Sequence, residues 1–218
     1  MTSDEQRYVP AAGRARSRAP TTSCSLRRVR EPRWRPCLAD AVLRDLPSTG
    51  VIADVGSGTG TLAIALAARR PDLRIIAVDG DPAIQALAQR KPGAHLVQWR
   101  HGLADDLALP DSSVDRVVMS LLLHHLEPAA KRRALHEARR ILVAGGQLHV
   151  ADWGRPGDPI MRTAFFALQL IDGFANTRDH AAGRLPDFLT DSGLTAVTSH
   201  RRIRTAWGRL ELLSATRP

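Results

Sequence analysis

Short apolar runs alternate with segments of helical periodicity along most of the chain. Val51–Val55 and residues 73–79, 95–99, 116–120 and 147–153 each have the length and β-branched content of a buried strand. Strands that alternate with helical patterns predict an α/β protein in which most of the sheet is parallel.

The intervening segments predict the helices and the end of the sheet. Apolar positions at helical spacing predict helices over residues 31–46, 61–70, 128–143, 159–174 and 185–191. Residues 172–180 are polar and are interpreted as a loop, in which Arg178, Asp179 and His180 are candidates for an acceptor site and a solvated loop is the alternative. Residues 194–204 and 209–215 then predict two final strands that form an antiparallel hairpin.

Residues 1–37 do not fit this alternation and are interpreted as an irregular basic arm before a domain at 38–218. Residues 14–35 are rich in Arg, Ser, Thr and Pro and show neither helical nor alternating periodicity. A second interpretation is a local frameshift that replaces an amphipathic helix, which the coding DNA would decide.

A glycine-rich turn joins the first strand to the first helix after it. Asp54 is followed by Gly56-Ser57-Gly58-Thr59-Gly60 and then by an apolar, alanine-rich helix. Strand, tight turn and helix form the unit that seats nucleotide-like ligands in doubly wound domains. A dinucleotide fingerprint, G-x-G-x-x-G/A, fits only when counted from Gly58 to Ala63, so this register alone leaves a nicotinamide cofactor open.

The form D-x-G-x-G-x-G resembles the first motif of the class I S-adenosylmethionine (SAM) dependent methyltransferases. The resemblance implies SAM as cofactor, with S-adenosylhomocysteine as product, and cofactor contacts from Asp54 and from all five residues of the glycine loop. It also implies a Rossmann-like three-layer fold whose seven strands have the order 3-2-1-4-5-7-6. In such a fold the closing hairpin distinguishes methyltransferases from nicotinamide-binding sheets.

The second strand ends in an acid, Asp79, about 20 residues beyond the glycine loop. A carboxylate there can accept hydrogen bonds from both hydroxyls of a ribose, so Asp79 and the adjacent Gly80 are predicted cofactor contacts. The alternative is that Asp79 only ends the strand. Asp81 is predicted to cap the next helix, with Pro82 at its first position.

The loop after the third strand resembles the G-D-A-x-x-L-P-F segment of small methyltransferases of the ubiquinone/menaquinone type. Gly102, Ala104, Leu107 and Pro110 match this segment, but Leu103 stands where the relatives have an acid. The adenine contact is therefore expected from Asp105, or from the backbone amides of Leu103 and Ala104.

The segment after the fourth strand, Ser120 to Leu126, resembles the S-x-x-x-H-H-L pattern of the same group. The resemblance places Ser120 near the sulfonium of the cofactor. His125 is the one candidate catalytic residue, a general base if the acceptor is a hydroxyl; a purely structural histidine is the alternative. Asp152 and Trp153, at the end of the fifth strand, are expected to line the acceptor pocket.

Composition narrows the functional classes. The formal net charge is +9, and all but two of the 31 basic residues are arginine, which suggests a coding bias more than a nucleic-acid surface. The two cysteines, Cys24 and Cys37, indicate neither a disulfide framework nor a metal site, and no metal is expected. Without a long apolar run or a leader-like segment, we expect a cytoplasmic protein, monomeric or homodimeric.

The sequence therefore predicts SAM-dependent methyl transfer to a small-molecule acceptor whose nucleophilic atom is undetermined. Three alternatives stay open. The chain could bind SAM with little turnover, methylate a membrane-associated quinone or lipid through peripheral membrane contact, or be an NAD-dependent oxidoreductase. Nucleic acid is not the expected partner.

Overall fold

A computed structural model describes residues 31–205 and 208–218 of the chain. Seven strands form one sheet in the order β3-β2-β1-β4-β5-β7-β6. The strands are β1 Val51–Val55, β2 Arg74–Asp79, β3 Val97–His101, β4 Val114–Ser120, β5 Leu142–Gly154, β6 Thr195–Arg204 and β7 Arg209–Thr216.

Helices cover both faces of this sheet. Within the described residues they are α1 Glu31–Leu43, α2 Thr61–Arg69, α3 Pro82–Gln89, α4 Pro128–Ile141, α5 Pro159–Asp172, α6 Phe174–Ala182 and α7 Leu185–Asp191. Short 3₁₀ turns at Ala94–Leu96 and Leu123–His125 precede β3 and follow β4.

The direction of the strands confirms the predicted topology. β1 pairs in parallel with β2 and β4, β2 with β3, and β4 with β5, whereas β7 runs antiparallel to β5 and β6. The strand order reverses between β1 and β4, and ligands of open α/β sheets bind in the crevice at such a switch point. The closing hairpin is the feature that the sequence analysis expected of a methyltransferase sheet.

Two apolar clusters pack against the two faces. One contains Trp34 and Leu38 of α1, Leu62 and Leu66 of α2 and the β1 residue Ile52. The other includes residues of α4 and α7 packed on the alternate positions of β1 and β4. Because side chains of a strand alternate between faces, each central strand contributes to both clusters.

The first described helix begins inside the predicted arm. α1 begins at Glu31, where the predicted helix over residues 31–46 also begins, so it crosses the predicted boundary between residues 37 and 38, and Trp34 is fully buried. Residues 1–30, which hold most of the predicted basic arm and of the frameshift hypothesis, lie outside the described residues.

The prediction of a loop over 172–180 is wrong, because α6 occupies Phe174–Ala182. Its buried residues are Thr177, Asp179 and His180, all polar. An apolar period is the sequence signal for a packed helix, and this helix packs through polar side chains instead. The apolar period therefore could not predict this helix.

Two strands also begin at residues other than the predicted ones. β5 starts at Leu142, before the glycine pair that was expected to break the preceding helix, because Gly145 and Gly146 exchange backbone hydrogen bonds with Arg217. β3 starts at Val97, after a 3₁₀ turn, and reaches His101, which pairs with Asp79 at the end of β2.

Candidate cofactor and acceptor site

The glycine loop is fixed to the end of β2 by its own backbone. The amides of Gly56 and Ser57 both donate to the carbonyl oxygen of Val78, at 2.9 and 3.0 Å. Gly56, Gly58 and Gly60 have φ angles of +70°, +53° and +69°, a region that side chains disfavour. The loop therefore needs glycine at all three positions for conformational reasons.

The space around the three glycines differs. A Cβ on Gly56 would lie 2.7 Å from the side chain of Leu122, and one on Gly60 would lie 2.2 Å from Trp99. A Cβ on Gly58 would meet no protein atom within 4 Å. Protein atoms fill the space at the outer two glycines, whereas Gly58 leaves room for a ligand to approach its backbone.

Asp79 is tied to this loop. Its Oδ2 accepts a hydrogen bond of 2.6 Å from the Gly58 amide, and its Oδ1 accepts one of 2.9 Å from the Asp81 amide. Burial raises the pKa of Asp79, and these two hydrogen bonds oppose that shift. Each oxygen has a second lone pair, so the carboxylate can still accept hydrogen bonds from a diol.

Asp54 lies fully buried at the end of β1, directly before the loop. Within the described residues neither of its oxygens has a hydrogen-bond partner of normal geometry. Burial raises the pKa of Asp54 to about 7; the charge of Arg35 on α1 opposes this shift and that of Asp79 adds to it. A buried carboxylate without a donor is costly unless a cation neutralises it.

Asp54 and the glycine loop provide the test of whether SAM fits this chain. SAM is a cation at its sulfonium and amino groups and needs close backbone approach. The orphaned Asp54 carboxylate and the open space at Gly58 match those two requirements. The residues present therefore fit the cofactor that the fold implies.

The predicted adenine contacts lie in the loop after β3. Leu103 and Asp106 form an isolated bridge, in which the Asp106 amide donates to the Leu103 carbonyl oxygen at 3.1 Å. The carboxylate of Asp105 accepts a 2.9 Å hydrogen bond from Arg133 Nε of α4. Asp105 is thus held by an arginine. Gly80, the other predicted contact, directly follows β2, and its carbonyl oxygen lies 3.2 Å from His101 Nε2.

The backbone turns sharply after Ser120, the last residue of β4. Leu121 has a φ of +53°, which is rare for a side chain of this size, and its amide donates to the Ala151 carbonyl oxygen at 2.8 Å. Strained backbone of this kind clusters at functional sites. The turn leads directly into the 3₁₀ segment that carries His124 and His125.

His124 is bound to Asp152 at the end of β5. His124 Nδ1 lies 2.7 Å from Asp152 Oδ1, and the amides of Leu123 and Trp153 donate to the same carboxylate at 2.8 and 2.7 Å. Burial disfavours the charged form of both side chains. Because the attraction between the two opposite charges outweighs this effect, the pKa of Asp152 is lowered and the pKa of His124 is raised.

His125 is in a different environment. Burial, and secondarily the charge of His124, lower its pKa to about 3, so it is a weak base. Its Nδ1 lies 3.6 Å from Asp172 Oδ1, beyond hydrogen-bond distance. Asp172 is the last residue of α5, and burial raises its pKa.

Further polar side chains from α4 and α6 surround these groups. His180 Nδ1 donates to the Trp153 carbonyl oxygen at 2.7 Å. The Lys131 ammonium donates to the Asn176 carbonyl oxygen and lies 3.7 Å from Asp179. The Asn176 side chain in turn donates to the His125 carbonyl oxygen at 3.0 Å.

The structure therefore brings the loop residues and Asp79 together at one strand end and assembles a second, polar cluster beyond β4. We call the side chains of His124, His125, Asp152, Asp172 and His180 the histidine cluster. Sequence reasoning named His125, expected Asp152 near the acceptor and counted His180 among the candidates of the 172–180 segment, but it did not single out His124 or Asp172. The S-x-x-x-H-H-L pattern was the only signal for His124, and no local signal pointed to Asp172.

Large apolar side chains are exposed on α5 and at the start of α6. Ile160, Phe166, Leu170 and Phe174 are each about half exposed or more, and the rings of Phe166 and Phe174 are in contact. α5 ends at Asp172 and α6 carries His180, so this apolar surface lies on the two helices that contribute to the histidine cluster. Among the described helices, none is long and apolar enough to cross a membrane.

Comparison with known proteins agrees with this geometry. Residues 52–146 match the protein family described as "Methyltransferase domain". The chain is 35% identical over 126 residues to a demethylmenaquinone methyltransferase of Thermus thermophilus, covering 57% of this chain and 56% of the relative. It is 31% identical over 134 residues to that of Deinococcus radiodurans, covering 61% and 54%. The matched region thus spans little more than half the length of these relatives.

A solved structure of a SAM-dependent methyltransferase from Thermotoga maritima has the same fold, with a TM-score of 0.65 at 22% identity, covering 84% of this chain and 89% of that one. The domain match, the curated relatives and the sheet order agree with one another. Residues 52–146 thus match a methyltransferase domain, and the seven-stranded sheet has the Rossmann-like fold of a solved methyltransferase, with similarity to demethylmenaquinone methyltransferases over little more than half of their length.

Proposed function

We propose that this chain transfers a methyl group from SAM to a small-molecule acceptor at the carboxyl edge of β1, β4 and β5. The observation that carries the proposal is the geometry of the glycine loop, in which the Gly58 amide is bound to Asp79 and the space beside Gly58 is open. This arrangement suits a ligand with a ribose and no phosphate at the turn.

The cofactor contacts are proposed as follows. The backbone of the glycine loop, Gly56 to Gly60 with Ser57 and Thr59, would hold the amino-acid and ribose parts, and Asp79 with Gly80 would bind the ribose hydroxyls. The amides of Leu103 and Ala104 would frame the adenine edge, with Asp105 behind them on Arg133. Asp54 would neutralise the positive charge of the ligand, and Ser120 would lie near the reacting end.

When bound, SAM supplies a methyl group already activated by its sulfonium. The chain then has to hold the acceptor in line at about 3–3.5 Å and exclude water. Leu121, with its strained turn, lies between Ser120 and the histidine cluster, and we propose that this turn orients both toward the acceptor. His125, the predicted general base, is weakened by burial, so removal of a proton from a hydroxyl acceptor needs help from neighbouring groups.

We infer that the acceptor is an apolar, ring-containing small molecule. The exposed apolar side chains lie on α5 and at the start of α6, the helices that carry Asp172 and His180, and would provide a surface for such a compound. The names of the curated relatives point the same way, since they act on demethylmenaquinone. A cytoplasmic monomer or homodimer with peripheral access to a membrane-held acceptor fits this proposal.

The test is release of S-adenosylhomocysteine from SAM in the presence of a panel of apolar hydroxyaromatic compounds and reduced quinones. We expect release that depends on at least one acceptor and is absent without protein. Binding of SAM without acceptor-dependent release across the panel would contradict turnover and leave a SAM-binding protein.

A further inference from the structure

Three metal-ligating side chains converge inside the histidine cluster without bonding to one another. His124 Nε2 lies 3.9 Å from Asp172 Oδ2, and His125 Nδ1 lies 3.6 Å from Asp172 Oδ1. One ligand atom from each of the three residues lies within 4.8 Å of the other two. Within residues 31–205 and 208–218 this is the only such group of His, Cys, Asp or Glu side chains.

The spacing of these atoms matches that of ligands around a metal ion. Nitrogen and oxygen ligands at about 2.0–2.2 Å from one ion are separated by about 3–3.5 Å. The distances of 3.6 and 3.9 Å are too long for hydrogen bonds and only slightly longer than this spacing. Small side-chain movements would therefore close the site.

The nitrogen of His124 is already oriented for a ligand. Asp152 accepts from His124 Nδ1 at 2.7 Å, so the other ring nitrogen, Nε2, lies on the side of Asp172 and would bind an ion in place of a proton. The backbone amides of Leu123 and Trp153 hold Asp152 in place. Metal-bound histidines commonly donate their other ring nitrogen to a fixed carboxylate in this way.

Charge and access also favour a cation. Asp152, Asp172 and Asp179 bring three carboxylates to this region against the single ammonium of Lys131, which is directed to Asn176 and Asp179. The side chains of His124 and Asp172 are buried, whereas that of His125 is 21% exposed. An ion could thus enter past His125 and keep a coordination position open to that side.

We propose that His124, His125 and Asp172 bind one divalent transition-metal ion, with Asp152 as the residue that positions His124. Two imidazoles and one carboxylate suit Zn²⁺, Co²⁺ or Fe²⁺ better than Mg²⁺ or Ca²⁺. The consequence for chemistry rests on the proposed methyl transfer. An ion at this edge would bind a hydroxyl of the acceptor, lower its pKa and so promote loss of its proton to solvent before methylation.

The experiment uses the full chain without an affinity tag, stripped with a chelator and then dialysed. Co²⁺ is titrated with detection of its visible absorption, and Zn²⁺ is titrated by calorimetry. We expect one ion per chain at micromolar affinity or better, and at least about 100-fold weaker binding for Asp172→Asn and for His125→Gln. Asp191→Asn, an exposed carboxylate at the end of α7, is the matched control and should bind as the wild type does.

Wild-type protein that takes up no stoichiometric ion would overturn the proposal, as would Asp172→Asn and His125→Gln that both bind like the wild type. Thermal unfolding in the presence of chelator checks that the variants fold. If Asp172→Asn does not fold, His125→Gln, at a half-buried position, provides the test. SAM affinity is measured by calorimetry on the same chelated samples. Wild-type protein that binds SAM but no metal ion refutes only the metal site. Wild-type protein that binds the metal ion but not SAM refutes only the proposed cofactor.

Discussion

The glycine loop and the histidine cluster lie at the same edge of the sheet and are built in opposite ways. The loop is held by backbone atoms of consecutive residues and by one carboxylate, Asp79. The cluster is held by side chains from β5, α5, α6 and the turn after β4. The geometry of the loop depends on the backbone conformation of consecutive residues. The geometry of the cluster depends on side chains that are distant in the sequence and are brought together by the fold.

The two regions also differ in how many hydrogen-bond donors surround their buried carboxylate. Asp54, beside the loop, is buried with no hydrogen bond of normal geometry among the described residues, and only the Ala63 amide and the charge of Arg35 favour its ionised form. Asp152, in the cluster, is buried to the same degree but accepts from the backbone amides of Leu123, His124 and Trp153 and from the His124 ring. We infer that the first carboxylate is poised for a cationic ligand and the second is part of the protein's own framework. The following changes test that distinction.

The largest effect is expected from Asp152→Ala. The change would leave His124 and the amides of Leu123 and Trp153 buried without their acceptor, and removing one partner of a buried charged pair costs about 3–5 kcal/mol. Urea unfolding in the presence of chelator measures this loss. Asp172→Asn, in the same cluster, should change the free energy of unfolding by less than about 1 kcal/mol, because the Asp172 carboxylate lies 3.9 and 3.6 Å from nitrogens of His124 and His125, beyond hydrogen-bond distance. Equal losses would remove the distinction between framework and ligand carboxylates.

Gly60→Ala should come next. The new Cβ would lie 2.2 Å from Trp99, whose indole is fixed to the Ala94 carbonyl oxygen, and the backbone φ of +69° adds strain. Together these cost about 2–4 kcal/mol of folding stability. Gly58→Ala, with nothing within 4 Å, should cost about 1 kcal/mol yet abolish detectable SAM binding. Thermal unfolding and calorimetry on the pair separate the two roles, and normal SAM binding by Gly58→Ala would contradict our assignment.

Asp54→Asn should change how stability depends on pH. The pKa of Asp54 is about 7 in the folded chain against an ordinary 3.8, with Arg35 and Asp79 the charged groups that face it. A raised pKa gives stability that is fully present below 3.8 and is lost as the pH rises through 7. Relative to the variant, cofactor-free wild type should therefore lose about 2–3 kcal/mol between pH 5 and pH 8. A difference that does not vary with pH would show that Asp54 stays ionised.

The smallest expected change is that of Asp79→Ala on cofactor affinity. Loss of charge-assisted hydrogen bonds to the ribose should weaken SAM binding by about 1.5–3 kcal/mol. Asp40→Ala, which removes an exposed carboxylate paired with Arg69, is the control and should bind SAM as the wild type does. Unchanged affinity in Asp79→Ala would exclude it from the site.

The same contrast explains what the sequence could predict. The strands and the hairpin followed from periodicity and the glycine loop from a contiguous motif, since both are local properties of the chain, whereas the sheet order came from the family resemblance that this motif carries. The histidine cluster could not be predicted in full, because Asp172 and His180 come from segments with no motif and α6 buries polar residues, which removes the apolar period. Trp34 was missed for a related reason, since it lies in a basic stretch whose composition resembles a disordered arm.

The central claim is that the glycine loop and Asp79 bind SAM. Calorimetry of the purified chain with SAM, S-adenosylhomocysteine and NAD tests it most directly. Our account predicts that both sulfur ligands bind and that NAD does not, with SAM binding accompanied by proton release as Asp54 ionises. Binding of NAD in preference to both sulfur ligands would contradict it.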